Sequence, residues 1–135
     1  SDYTSEAAKY LGIGLSNLTI DCKEAVKLRD FYAELLGWQS GEVEGFPVLH
    51  SPYGMLLLFN KADFDVIAPV WPEEAGKQQK HMHFDFHVDD LAQAVLQAEK
   101  AGAKRAEAQY GGQRYVTMLD PEGHPFCLCK KDLAQ

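Results

Sequence analysis

The feature that most constrains this chain is an internal repeat. The alternation Leu15-Ser16-Asn17-Leu18-Thr19-Ile20-Asp21-Cys22 has period two and reads as a half-buried strand. Lys23 to Leu36 then carries apolar residues at helical spacing (Ala25, Val26, Leu28, Phe31, Tyr32, Leu35, Leu36), and Gly37 supplies a stop. Three short strands are predicted next, over Trp38–Val43, Phe46–Ser51 and Met55–Phe59, with Glu44-Gly45 and Pro52-Tyr53-Gly54 as turns. The same order returns. His83–Val88 alternates, Leu91–Ala101 is helical and closed by Gly102, and strands are predicted over Ala103–Ala108, Arg114–Leu119 and His124–Cys129. Asn17 and His83, the first polar strand positions of the two copies, lie 66 residues apart. Two βαβββ units predict an α+β domain in which each helix covers the apolar face of its own sheet.

The boundaries follow. Residues 1–13 form an N-terminal extension with helical spacing over Ser5–Leu11, 14–130 one domain, and 131–135 a tail. Within the domain, module 1 spans about 14–60, a connector 61–80, and module 2 about 81–130. A length of 135 residues suits a single core, and 46% hydrophobic residues is ordinary for a globular chain. The net charge of −7, without blocks of like charge, argues against nucleic acid and anionic membrane as partners. The longest apolar run, Met55–Phe59, falls far short of the roughly 18 residues a membrane span needs. The polar, acidic opening Ser1–Glu6 predicts no secretory signal. The three cysteines, Cys22, Cys127 and Cys129, are an odd set, and the last two share one strand face, a geometry that disfavours a mutual bridge. Reduced thiols and a cytoplasmic location are the expectation.

Strand parity sorts the side chains. Leu18, Ile20, Phe84, Phe86, Val88, Phe126 and Leu128 should face the helices. The opposite face holds Asn17, Thr19, Asp21, His83, Asp85, His87, Cys127 and Cys129. That face is small, neutral or imidazole-bearing rather than rich in Lys and Glu, which suits a small-molecule cleft; a plain solvent face or a dimer contact is the alternative. His83 beside Asp85 reads either as a proton-transfer pair or as a hydrogen-bonded pair that fixes the sheet. Asp21 reads as a ligand contact or a helix cap, and Asp89-Asp90 as a cap for the second helix. Cys127 and Cys129 are either inert or, with His83 nearby, nucleophilic. Trp71, Tyr115, Tyr53 and Tyr110 are candidates to stack on a planar ligand or to pack at a dimer seam. Gly111-Gly112 reads as a hairpin turn and not as a phosphate loop.

The ordered set resembles the vicinal oxygen chelate superfamily, which includes glyoxalase I, bleomycin-resistance proteins and extradiol dioxygenases, and in particular its glyoxalase-like branch. Leu18–Cys22 leading into Phe31-Tyr32-Ala33-Glu34-Leu35-Leu36-Gly37-Trp38 is similar to that branch's first module. His83–Leu91, the Ala101-Gly102-Ala103 turn and Asp120-Pro121-Glu122-Gly123-His124-Pro125-Phe126-Cys127-Leu128 are similar to its second, and Pro69-Val70-Trp71-Pro72 with Gln79 to its connector. The resemblance implies two βαβββ modules pairing into a curved mixed sheet around a cleft, and a homodimer.

It also implies four metal-ligand positions, which fall near Asn17, Leu56, His83 and Cys127. Leu56 offers no donor and Asn17 a weak one, so the expected metal set is none. The expected function is metal-independent binding of a planar or cationic small molecule in an aromatic-lined cleft between the modules. Its expected contacts are Asn17, Thr19, Asp21, Trp71, His83, Asp85, His87, Tyr115 and Cys127. The alternatives are a metal-dependent lyase, isomerase or dioxygenase using a divalent metal on His83, and a metal-free enzyme using His83 and Asp85.

Overall fold

Each half of the chain winds the same way. A computed structural model describes residues 12–131. The predicted N-terminal helix over Ser5–Leu11 and tail residues 132–135 lie outside that span. Module 1 runs β1 (Asn17–Cys22), α1 (Ala25–Leu36), β2 (Gln39–Val43), β3 (Phe46–His50) and β4 (Leu56–Lys61). Module 2 runs β5 (Asp85–Val88), α2 (Leu91–Ala101), β6 (Lys104–Arg105), β7 (Tyr115–Leu119) and β8 (Pro125–Lys130). The strand orders are β1-β4-β3-β2 and β5-β8-β7-β6. In each, the first and last strands pair in parallel and the remaining pairs are antiparallel.

Local chemistry explains the elements. Glu44 and Gly45 both take positive φ, as a two-residue hairpin matched to strand twist requires. Gly37 ends α1 in the left-handed region, and its N–H donates to Ala33 O. Asp90 caps α2, accepting from Gln93 N at 3.1 Å, as expected. Asp21 does not cap α1; its carboxylate accepts from Asn60 Nδ2 at 2.9 Å across the β1–β4 ladder. The α1 terminus is served instead by Glu122 of module 2, which accepts from Lys23 N at 2.8 Å and Glu24 N at 2.9 Å.

Each helix packs on its own sheet, and the two helices touch. The helix-facing residues behave as parity predicts: Phe126 and Leu128 are buried, and Leu18, Ile20, Phe84, Phe86 and Val88 pack against the same cluster, which Phe59 joins. One core serves both modules. The Tyr32 ring of α1 lies 6.3 Å from Phe59 in its own module, but also 5.5 Å from Phe84 and 6.1 Å from Phe126. Its hydroxyl donates to buried Asp120 at 2.8 Å. Asp120 in turn accepts from Glu122 N and His124 N, which fixes the Asp120–Gly123 turn. Burial and the neighbouring Asp120 push the Tyr32 phenol up, and burial raises Asp120 despite its three donors.

Two expectations need refinement. The two sheets are open and share no ladder, so the modules pair through side chains and not through one continuous curved sheet. The predicted strand Ala103–Ala108 is only two residues long: Ala106 N still donates in register to Thr117 O, but Thr117 N donates to the Gln109 side chain at 2.9 Å in place of a ladder partner.

Candidate functional site

Three strands of module 2 place the expected residues in two rows. The parallel β5–β8 ladder sets Asp85 opposite Cys127 and His87 opposite Cys129. The antiparallel β7–β8 ladder sets Thr117 opposite Cys127 and Tyr115 opposite Cys129. Successive same-face residues on a strand are about 7 Å apart, so the rows form one wall. Trp71 from the connector stands beside it. The result is a cleft of about 460 Å³ lined by Trp71, His83, Asp85, His87, Tyr115 and Cys127, six of the nine expected contacts.

His83 precedes the ladder, where no cross-strand bond fixes its backbone direction, and its ring folds back over Asp85. His83 Nε2 lies 3.2 Å from Asp85 Oδ1. Candidate ligand atoms of His83, Asp85 and Cys127 all lie within 4.8 Å of one another. An imidazole oriented by a carboxylate can hold or move a proton. Cys127 is buried, with its sulfur 3.6 Å from Thr117 Oγ1. Burial raises its thiol, and the charge of Asp85 adds to this, against the opposing Thr117 hydrogen bond and the charge of Lys80. Cys129 is pushed up to about 11 by burial, then by Asp85 and Cys127. Both are therefore thiols at neutral pH, not the thiolates that nucleophilic attack requires.

Trp71 is a fixed wall. Its indole N–H donates to Ala108 O at 3.0 Å, its ring meets Tyr110 edge-on at 5.9 Å, and Lys80 Nζ sits 4.7 Å from its centroid. Lys80 is also ion-paired with Glu73. Tyr53 lies elsewhere, against Trp38 and largely exposed.

Asn17, Thr19 and Asp21 do not reach this cleft. They lie on β1, where Asn17 Nδ2 donates to Thr19 Oγ1 at 2.8 Å and Asp21 pairs with Asn60. The cleft that gathers the six contacts is built by module 2 and the connector; a second cavity, of about 450 Å³, lies between the modules, with Leu18, Trp38 and Tyr53 of module 1 facing Phe84, Asp85 and His87 of module 2. The shared core joins the modules by their helix-side faces. Lys80 and Arg114 also line the cleft, and strand parity missed both. Each lies just outside a ladder, where alternation says nothing about direction; their closeness in sequence to His83 and Tyr115 was the available signal.

The metal positions implied by the resemblance can now be tested. Asn17 faces Leu56 in register across β1 and β4. Leu56 carries no donor atom, and the Asn17 amide is already hydrogen-bonded, so module 1 contributes no charged ligand. The four-position set does not fit a catalytic metal. Module 2 by itself offers three donor types, imidazole, carboxylate and thiol.

A family model for a glyoxalase-like domain matches residues 17–129. A search of curated proteins finds no match. Several solved structures share the fold. One is a glyoxalase/bleomycin resistance protein/dioxygenase family enzyme from Burkholderia phytofirmans PsJN, with TM-score 0.62 and 20% identity, covering 85% of this chain and 96% of that one. A possible glyoxalase from Bacillus cereus gives TM-score 0.62 and 16% identity, covering 87% and 98%. A glyoxalase/bleomycin resistance protein from Albidiferax ferrireducens T118 gives 0.57 and 15%, covering 87% and 98%. The doubled βαβββ fold and the match across nearly all of the domain lead to one conclusion: this chain belongs to the glyoxalase-like domain family of the vicinal oxygen chelate superfamily.

Proposed function

We propose that this chain is a metal-independent small-molecule-binding protein of the glyoxalase/bleomycin-resistance type, working as a cytoplasmic homodimer. The observation that carries the reading is the asymmetry of the two inner faces. Module 2 gathers six expected contacts in one cleft, while the facing pair in module 1 is Asn17 and Leu56. The ligand is planar and lies against the walls made by Trp71 and Tyr115. The chain's net charge of −7 favours a cationic ligand by long-range steering. Within the cleft, Lys80 and Arg114 outnumber Asp85, and charges at contact range outweigh a field screened beyond about 8 Å.

Among the described residues, β1 and β5 are outer strands of their sheets, each with one edge unpaired. A second copy that covers these edges would bring Asn17, Thr19 and Asp21 of its own module 1 over the open cleft. Light scattering should give twice 15.1 kDa; a particle at the monomer mass removes the dimer. The free thiols of Cys22, Cys127 and Cys129 suit a reducing compartment. No helix among the described residues is long and apolar enough to cross a membrane. A thermal-shift screen of planar compounds tests the binding reading, since a ligand raises stability only by binding the native state.

A second reading is favoured by the grouping of His83, Asp85 and Cys127 within 4.8 Å. These residues would hold a divalent cation, which would supply Lewis-acid polarisation of a bound oxygen. Elemental analysis of protein purified without chelator separates the two. About one equivalent of metal, lost in His83→Ala, favours the second reading. Content far below one equivalent that added metal does not raise favours the first.

A further inference from the structure

We propose that the ligand of this cleft carries an oxyanion, a carboxylate or a phosphate, on its planar body, and that Arg114 is its anchor with Lys80 in support. The proposal rests on the binding reading above and names the chemical class of its ligand.

The charges of the cleft are the first ground. Two cations, Lys80 and Arg114, line it against one carboxylate, Asp85, whose oxygen is already engaged by His83 at 3.2 Å. The second ground is the state of each cation. Among the described residues, Arg29 spends its guanidinium on Asp30 and on Gly41 O, whereas the Arg114 guanidinium makes no hydrogen bond or ion pair. An unpaired guanidinium presents a planar fork of donors that matches a carboxylate or phosphate in two parallel bonds. Lys80 shares its charge with Glu73 and is held over Trp71, so it is the secondary group. Its charge nonetheless reaches the interior of the cleft, where it acts on the Cys127 thiol.

The third ground is preorganisation. Arg114 N donates to Gly111 O at 2.9 Å, and Arg114 O accepts from Lys130 N at 3.0 Å. Gly111 packs so closely on Tyr115 that a Cβ there would lie 2.3 Å from Tyr115 O. Backbone on both sides of Arg114 is thereby fixed, while its side chain stays exposed at the cleft mouth. A fixed root with a free head costs little ordering when an anion arrives.

The test is a two-dimensional NMR titration of the full chain with three probes of one shape: benzoate, phenyl phosphate and benzamidine. The Trp71 indole N–H and the His83 and His87 ring signals report the cleft. Benzoate or phenyl phosphate should move these signals, and Arg114→Gln should weaken that binding at least tenfold, with partial recovery in Arg114→Lys. Arg114 is exposed, so both variants should keep the wild-type melting temperature. Whichever anion binds tighter identifies the headgroup, and either result supports the proposal. Benzamidine binding tighter than both anions overturns the oxyanion and leaves the cleft reading standing. Anion binding that is unchanged in Arg114→Gln overturns the anchor. If none of the three probes moves the cleft signals, both the proposal and the binding reading fall.

Discussion

The two modules share a backbone and differ in chemistry. Both run strand, helix, three strands, and both pair their first and last strands in parallel. At the inner positions equivalent by the 66-residue offset, module 1 sets Thr19 opposite Leu58 and Asp21 opposite Asn60, while module 2 sets Asp85 opposite Cys127 and His87 opposite Cys129. Module 1 satisfies its polar groups internally, through Asn17–Thr19 and Asn60–Asp21 contacts. Module 2 leaves His87, Tyr115 and Arg114 turned to a cleft. The repeat therefore fixes the scaffold twice and the site once. Backbone pairing needs only alternation and turns, whereas a site needs particular donors at particular places.

The comparison breaks most sharply at the shared core. Phe126→Ala should cost about 3–5 kcal/mol, the usual range for a buried aromatic. Phe126 packs against Phe31 and Tyr32 of module 1 as well as Phe86 of module 2. Chemical denaturation should still show one transition; two separated transitions would make the modules independent folding units. Next in size is Tyr32→Phe, which strips the phenol donor from buried Asp120 and should cost about 1–3 kcal/mol. A loss below 0.5 kcal/mol, roughly the noise of a surface substitution, would dissolve this brace between the modules.

The inner faces are compared by a pair of variants. His83→Ala should weaken ligand binding about tenfold, about 1.4 kcal/mol, and leave the unliganded melting temperature nearly unchanged. Thr19→Ala should weaken binding less, and only where the protein is dimeric. Equal effects in monomer and dimer would place module 1 in the same chain's cleft.

The smallest effect is a pH slope. Burial holds the Asp120 carboxyl above its ordinary value of 3.8, so the native state keeps a proton that the unfolded chain has released. The stability from this group is fully present below that ordinary value and is lost as pH rises through the native one. Asp120→Asn removes the titration. The stability of wild type minus that of the variant should therefore decline with rising pH across this window, and a flat or rising difference would contradict the assignment.

Much of this architecture was legible in the residues. Alternation placed β1 and β5, helical spacing placed α1 and α2, and Glu44-Gly45 marked a turn that the structure closes with positive φ at both residues. Parity also put Cys127 on the inner face and Leu128 on the core face. It failed where the ladder stops. Lys80, His83 and Arg114 all lie just outside strands, and their directions come from contacts with Trp71 and Asp85 and from the backbone turn at Gly111.

The sequence by itself determined the doubled scaffold, the apolar and polar faces of each strand, and the missing donor at Leu56, because these depend on residue type and on a two-residue period. Only the tertiary structure decided that one core joins the modules through Tyr32, that Glu122 completes a helix 99 residues away from it at Lys23, and that the cleft belongs to module 2 with cations at its wall. Those outcomes depend on how two amphipathic layers pack, and packing is set by contacts between residues that no local pattern connects.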